Sequence, residues 1–215
     1  VIPDEWSIHD AWIKDRGGNK LVDWEESNLH VVSYSEPVRA TMSFEELSKK
    51  LHYLPNNPDA IPYRTSYYNR DWGFCVTEPQ FQLLEKTSGV LEVCIDSEFK
   101  PEGAMTVAEI RVQGETDEEY LVSTYCCHPS MANDNLSGLL TTAFLARDLW
   151  SGDTPHRSWR FVFVPETIGA IAYLCHNEAA MKKIQGGLVA ATCGGTGPLG
   201  FKESYLGDHL VDRAI

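Results

Sequence analysis

The sequence predicts an α/β protein with a mixed, mostly parallel sheet, and three observations predict it. From Tyr120 onward apolar strand-like runs alternate with helical patterns, the β-α-β-α-β order that right-handed crossovers turn into a parallel sheet. Trp159 to Val164 is a continuous apolar run ended by Pro165, as in a strand covered on both faces. Everything before Gly89 is instead turn-rich and alternating, which marks a smaller β-rich part.

Taken in order, Ser7 to Ile13 and Lys20 to Trp24 flank Asp15-Arg16-Gly17-Gly18-Asn19, a turn that suits a hairpin. His30 to Tyr34 reads as a further strand. Ser43-Phe44-Glu45-Glu46 is a capping box that opens a short helix to about Leu51, and Thr77-Glu78-Pro79-Gln80 opens a second to about Lys86. The aromatic stretch from Tyr63 to Trp72 between them reads as ordered loop. Val90 to Ser97 and Met105 to Gln113 read as an antiparallel pair joined through Lys100-Pro101-Glu102-Gly103, and Tyr120 to Cys127 as the next strand. Asn135 to Trp150 has a helical period, with Leu136, Leu139, Leu140, Ala143, Phe144 and Leu149 as its buried stripe. Thr167 to about Lys183 reads as one helix and Gly187 to Cys193 as the next buried strand.

Composition excludes several classes of function. Hydrophobic residues at 43% and charged residues at 23% describe a packed chain and not a disordered one. Eighteen Lys plus Arg against 31 Asp plus Glu give a formal charge of −13, the wrong sign for a nucleic-acid or anionic-membrane partner. No apolar run is long enough to span a bilayer. The six cysteines form no CxxC pair and are read as reduced thiols, which points to the cytoplasm. The chain opens at Val1 without Met and stops at Ile215 inside a predicted helix, so both ends are read as missing. Oligomeric state is left open.

Ligands of open α/β sheets bind beyond the carboxyl ends of the parallel strands. That rule singles out His128 to Asn135 after one strand, Glu166-Thr167 after the next, and Gly194 to Gly197 after the third. His128, Asp134 and Glu166 converge on one rim, and an imidazole with carboxylates is the donor chemistry of a catalytic zinc ion. Each also has a plainer reading. Asp134 stands where a helix N-cap belongs, Glu166 at a helix start that favours any acid, and His128 at a strand end.

The runs Asp71-Trp72-Gly73-Phe74-Cys75, Cys127-His128-Pro129-Ser130, Asn133-Asp134-Asn135-Leu136-Ser137-Gly138 and Pro165-Glu166-Thr167-Ile168-Gly169 carry a resemblance across nearly the whole chain. It resembles the bacterial aminopeptidase-like proteins of unassigned function, within the superfamily of zinc-dependent aminopeptidases and glutamate carboxypeptidase. The resemblance implies a three-layer α/β/α core of zinc-aminopeptidase type with a small β-rich insertion similar to a protease-associated domain. Residues 1–87 would hold that insertion with the strand leading into the core. Residues 88–215 would be a partial core, without its C-terminal part and the winged helix that can follow it. His128 would be the first zinc-binding histidine, Asp134 the aspartate that bridges metals, and Glu166 the general base or a third ligand. Ser130, Asn133 and Thr167 would support them.

The pattern departs from that of active members at four places. Thr167 stands where a second glutamate ligand belongs, Ser130 replaces an orienting aspartate, and no aspartate lies between Gly194 and Gly197. The last histidine falls beyond Ile215, with Asp208 and His209 as weak substitutes. The implied cofactor is therefore one zinc ion, two if further ligands are supplied, or none in a fragment this short. Two functions follow. One is a metal-dependent hydrolase of a small peptide or amide substrate; the other is a non-catalytic binding module on the same scaffold. A thiol hydrolase built on Cys126-Cys127-His128 is weaker, because neighbouring residues of a strand point to opposite faces.

Overall fold

Alternation of apolar and polar residues in Glu5–Lys14 (β1) lets it pair with Lys20–Asp23 (β2) across the expected hairpin. The turn is held by the Asp15 carboxylate, which accepts from the Asn19 backbone and side-chain nitrogens at 2.9 and 2.8 Å. Gly18 takes a φ of 83° there, a conformation that favours glycine. In this computed structural model, which describes residues 2–215, the chain forms two units, Val1–Ala104 and Met105–Ile215.

In the first unit Val38–Met42 (β3) and Leu91–Lys100 (β6) complete an antiparallel sheet of order β2-β1-β6-β3. Two short strands, Leu51–His52 (β4) and Phe74–Cys75 (β5), pair in parallel. Both capping boxes are present, at Ser43 before Phe44–Leu47 (α1) and at Thr77 before Glu78–Lys86 (α2). Ile13, Leu47, Phe74, Leu84 and Leu91 are fully buried and form the core of this unit. The expected strand from His30 to Tyr34 is instead a 3-10 turn at Asn28–His30 followed by isolated bridges. His30 is buried with Nδ1 2.8 Å from the Cys75 carbonyl oxygen, so a side-chain bond takes the place of a ladder.

In the second unit Thr116–Cys126 (β8), Arg157–Pro165 (β9) and Ile184–Val189 (β10) are parallel, as the alternating order requires. Ala108–Val112 (β7) adds an antiparallel edge, giving the order β10-β8-β9-β7. The expected pairing of the strands around residues 90–97 and 105–113 is therefore wrong: β6 belongs to the first sheet and β7 pairs with β9. Their short connection looked like a hairpin, but non-local partners outcompete it. Leu136–Ser151 (α3) packs on a cluster of Val122 and Phe161, while Ile168–His176 (α4) packs on Val162 and Val164, the opposite parity of β9. The expected single helix to Lys183 breaks at Asn177, after which Glu178–Met181 (α5) begins. A final short helix, Leu210–Ala214 (α6), closes the chain.

Two burial expectations are corrected. The buried residues of α3 are Gly138, Thr142 and Ala146, while Leu136, Leu140 and Phe144 are exposed. Small residues let the helix lie close to the sheet, a selection that hydrophobic period alone does not reveal. β10 is likewise largely exposed, because it forms an edge of its sheet.

A charged network crosses β7, β8 and β9. The Arg160 guanidinium donates to both oxygens of Glu119, at 2.6 and 3.1 Å, and Nη1 donates to Glu109 at 2.5 Å. Arg111 donates to Glu119 at 2.9 Å, and the Tyr173 hydroxyl donates to Glu109. The side chain of Glu119 is 1% exposed. Burial pushes its carboxyl up, but Arg160 and Arg111 outweigh burial and hold it below the ordinary range.

Candidate metal centre

β8 ends at Cys126, and the next residues swing out of the strand towards α3. Alternation of faces therefore stops one residue before Cys127 and His128, and the expectation that these two side chains diverge fails. The Cys127 sulfur, a His128 ring nitrogen and an Asp134 carboxylate oxygen all lie within 4.8 Å of one another. His128 Nε2 is 3.9 Å from Asp134 Oδ2. A thiol, an imidazole and a carboxylate so grouped match the donor types of zinc, and they could hold that ion.

The surroundings orient each donor. His128 Nδ1 is 2.9 Å from the Pro129 carbonyl oxygen, which can only accept, so Nδ1 carries the hydrogen and Nε2 is the basic nitrogen. The Tyr125 hydroxyl donates to Asp134 Oδ1 at 3.0 Å. Burial and that bond push the Tyr125 phenol up to about 12, which keeps it a donor. Burial also pushes the Cys127 thiol up, and the Asp134 and Glu166 carboxylates add to it. A thiol so disfavoured as thiolate is a poor unaided nucleophile, which counts against a thiol hydrolase.

Asp134 is not the helix cap the sequence suggested. The N-cap of α3 is Asn135, and the carboxylate of Asp134 is exposed beside Tyr125 and His128. Asn135 is fully buried and links three segments. Its Nδ2 donates to Thr124 Oγ1 and to the Tyr125 carbonyl, both at 3.0 Å, while Oδ1 accepts from Thr192 N–H at 3.0 Å. A β-carbon on Gly138 would stand 2.4 Å from that Oδ1 and 2.5 Å from the Ala190 carbonyl oxygen, so only glycine fits. Asn133 ties the same loop to the Gly194 N–H at 2.8 Å. Asn135→Ala would strand several of these buried partners and is expected to cost about 3 kcal/mol in urea unfolding. A loss below about 1 kcal/mol would mean that water replaces the amide.

Glu166 lies in the adjacent turn, where its N–H donates to the Cys126 carbonyl at 3.1 Å. Its carboxylate is not part of the three-donor group. Thr167 has φ 57° and ψ −67°, and Ile168 N–H reaches back to the Glu166 carbonyl at 2.6 Å. This is a γ-turn of the rare positive-φ kind, which costs a β-branched residue about 1–3 kcal/mol. Ser130 and Thr192 also have positive φ, at 55° and 50°, so each of the three strand-end turns holds one such residue. Asp208 and His209 stay outside the cluster; His209 caps α6. The sequence reading missed Cys127, Tyr125 and Asn135. The thiol was discounted by strand alternation, the tyrosine carried no signal, and the asparagine was visible only within Asn-Asp-Asn.

Known proteins extend this picture. A family model described as a domain of unknown function, DUF4910, matches residues 7–215. A Clostridium acetobutylicum protein provisionally named as a polysaccharide biosynthesis protein with an aminopeptidase-like domain is 45% identical over all 215 residues. The chain spans 49% of the length of that curated relative. A crystal structure of a provisionally named peptidase from Clostridium acetobutylicum superposes with a TM-score of 0.93 at 45% identity, covering 98% of this chain and 49% of the other. A zinc aminopeptidase from Bacillus subtilis is similar in fold alone, with a TM-score of 0.57 at 14% identity over 87% of this chain and 56% of the other. The mixed α/β sheets thus resemble those of zinc aminopeptidases.

Proposed function

The chain belongs to the DUF4910 family, and from that premise we propose that it carries the metal-binding rim of a hydrolase that cleaves a peptide or amide bond. The observation that carries the reading is the grouping of Cys127, His128 and Asp134 at one strand end, one turn away from Glu166. Zinc would be held by His128 and Asp134 with a third protein donor, and when bound it supplies a Lewis acid that polarises a carbonyl and acidifies water. Tyr125 holds one oxygen of Asp134 and leaves the other for the ion. The Pro129 carbonyl fixes the His128 ring so that Nε2 is the donor. Glu166 takes a proton from the attacking water as its oxygen bonds to the carbonyl carbon, and passes that proton to the nitrogen that leaves when the C–N bond breaks, a task that an exposed carboxylate anchored by its own backbone can perform.

In this reading residues 1–87 form the protease-associated-like segment, β6 extends its sheet, and Met105–Ile215 holds part of the three-layer core. The substrate is a small neutral or cationic molecule, in keeping with the −13 charge, and nucleic acid is not a partner. The relative's name brings amide-bearing sugars within this class. A binding module that has lost its catalysis is the second reading, favoured by Thr167 in place of an acid and by the lack of an aspartate between Gly194 and Gly197. Glu166→Gln separates the two. The zinc-loaded full chain is assayed against aminoacyl nitroanilides and N-acylated sugars. The hydrolase reading expects turnover in the wild type and a loss of about 10²–10⁴-fold in the variant, with zinc content unchanged. Full zinc occupancy without turnover on any amide would leave the binding module standing.

A further inference from the structure

We infer that the third donor of the metal site is the sulfur of Cys127, so that a thiolate, an imidazole and a carboxylate hold the ion and Glu166 is left as a base, not a ligand. The inference rests on the hydrolase reading above and names the ligand set of that same site. Zinc with sulfur at about 2.3 Å and nitrogen or oxygen at about 2.0–2.1 Å places its donors roughly 3.3–3.8 Å apart. His128 Nε2 and Asp134 Oδ2 are already 3.9 Å apart, and the sulfur lies within 4.8 Å of a donor atom of each.

Three further features favour the thiol over the Glu166 carboxylate. Among the described residues the three-donor group contains Cys127 and not Glu166. Cys127 is half-buried, with its sulfur 3.9 Å from the Met131 thioether, a soft and weakly hydrated setting, whereas Glu166 is exposed. With Cys127 completing three protein donors, Glu166 as a fourth would close the position that catalytic zinc sites keep open, so the carboxylate is left free to act as base. The sulfur gives the site a preference for zinc, cobalt or cadmium over magnesium or manganese, which carboxylates alone would not.

Cobalt makes the sulfur visible, because a thiolate bound to cobalt absorbs by charge transfer in the near ultraviolet. The chelator-stripped full chain is titrated with cobalt(II). One equivalent is expected to bind and to bring up the charge-transfer band. Cys127→Ser should remove the band and weaken binding by more than about 100-fold, a loss at least as large as that from removing an outer partner of a ligand. Cys126→Ser, at the exposed neighbour, should keep band and affinity, and so should Glu166→Gln. A far-ultraviolet dichroism spectrum checks that Cys127→Ser is folded, and Cys127→Ala serves if it is not. Stoichiometric cobalt without the band, or a band that survives in both Cys127 variants, overturns the thiolate and leaves the hydrolase reading intact. Failure to bind cobalt at all overturns both.

Discussion

Arg160→Ala is expected to destabilise the unit Met105–Ile215 by about 3–5 kcal/mol, seen as a large fall in the urea midpoint. The loss does not measure the strength of one ion pair. Removing the guanidinium leaves Glu119, with its side chain 1% exposed, facing only Arg111, and leaves Glu109 with the Tyr173 hydroxyl but without its cation. The pH dependence has a definite sign. Glu119 is held below its ordinary carboxylate value in the fold, so its contribution is complete above about pH 4.3 and is lost as pH falls through the depressed folded value. Wild-type stability should therefore drop in acid below about pH 4, and the variant should show a smaller drop. A change under about 1 kcal/mol at neutral pH would mean that water reaches the network and screens it.

Asp134→Ala is expected to abolish stoichiometric zinc, with affinity down by more than about 100-fold, while urea unfolding of the metal-free chain shifts by no more than about 1 kcal/mol. The asymmetry follows from position. Asp134 makes no cap bond to α3 and is exposed, and among the described residues its side chain is held only by the hydrogen bond from Tyr125 and the His128 ring nitrogen 3.9 Å away. Calorimetric titration with zinc and denaturant unfolding of the same variant give the two readouts. Full zinc binding in the variant would remove Asp134 from the site; a large loss of stability would return it to the structural role that its sequence position suggests.

What the sequence made legible were the features governed by local rules. The Asp15 to Asn19 hairpin, both capping boxes and the parallel β8, β9 and β10 follow from turn chemistry, caps and alternating order. His128, Asp134 and Glu166 all lie at or just beyond the carboxyl ends of β8 and β9. The failures arise where a distant partner decides. The strand around Val93 pairs with Trp12 and Ile13 far back in the chain, and no local signal names that partner. Leu140 and Phe144 read as core by period alone, yet small residues took the sheet side of α3. Cys127 was set aside by a rule valid only inside a strand, and the strand ends one residue earlier.

Gly138 gives the rim a vulnerability that reaches beyond energetics. Its missing side chain is the space in which the Asn135 amide and the Ala190 carbonyl beyond β10 meet: a β-carbon there would lie only 2.4 Å from the amide oxygen. Even alanine, the smallest change from glycine, would have to displace the Asn135 amide and the Ala190 carbonyl, and with them the start of α3. In a directed library spanning residues 124–140, position 138 should be the first to be emptied by selection.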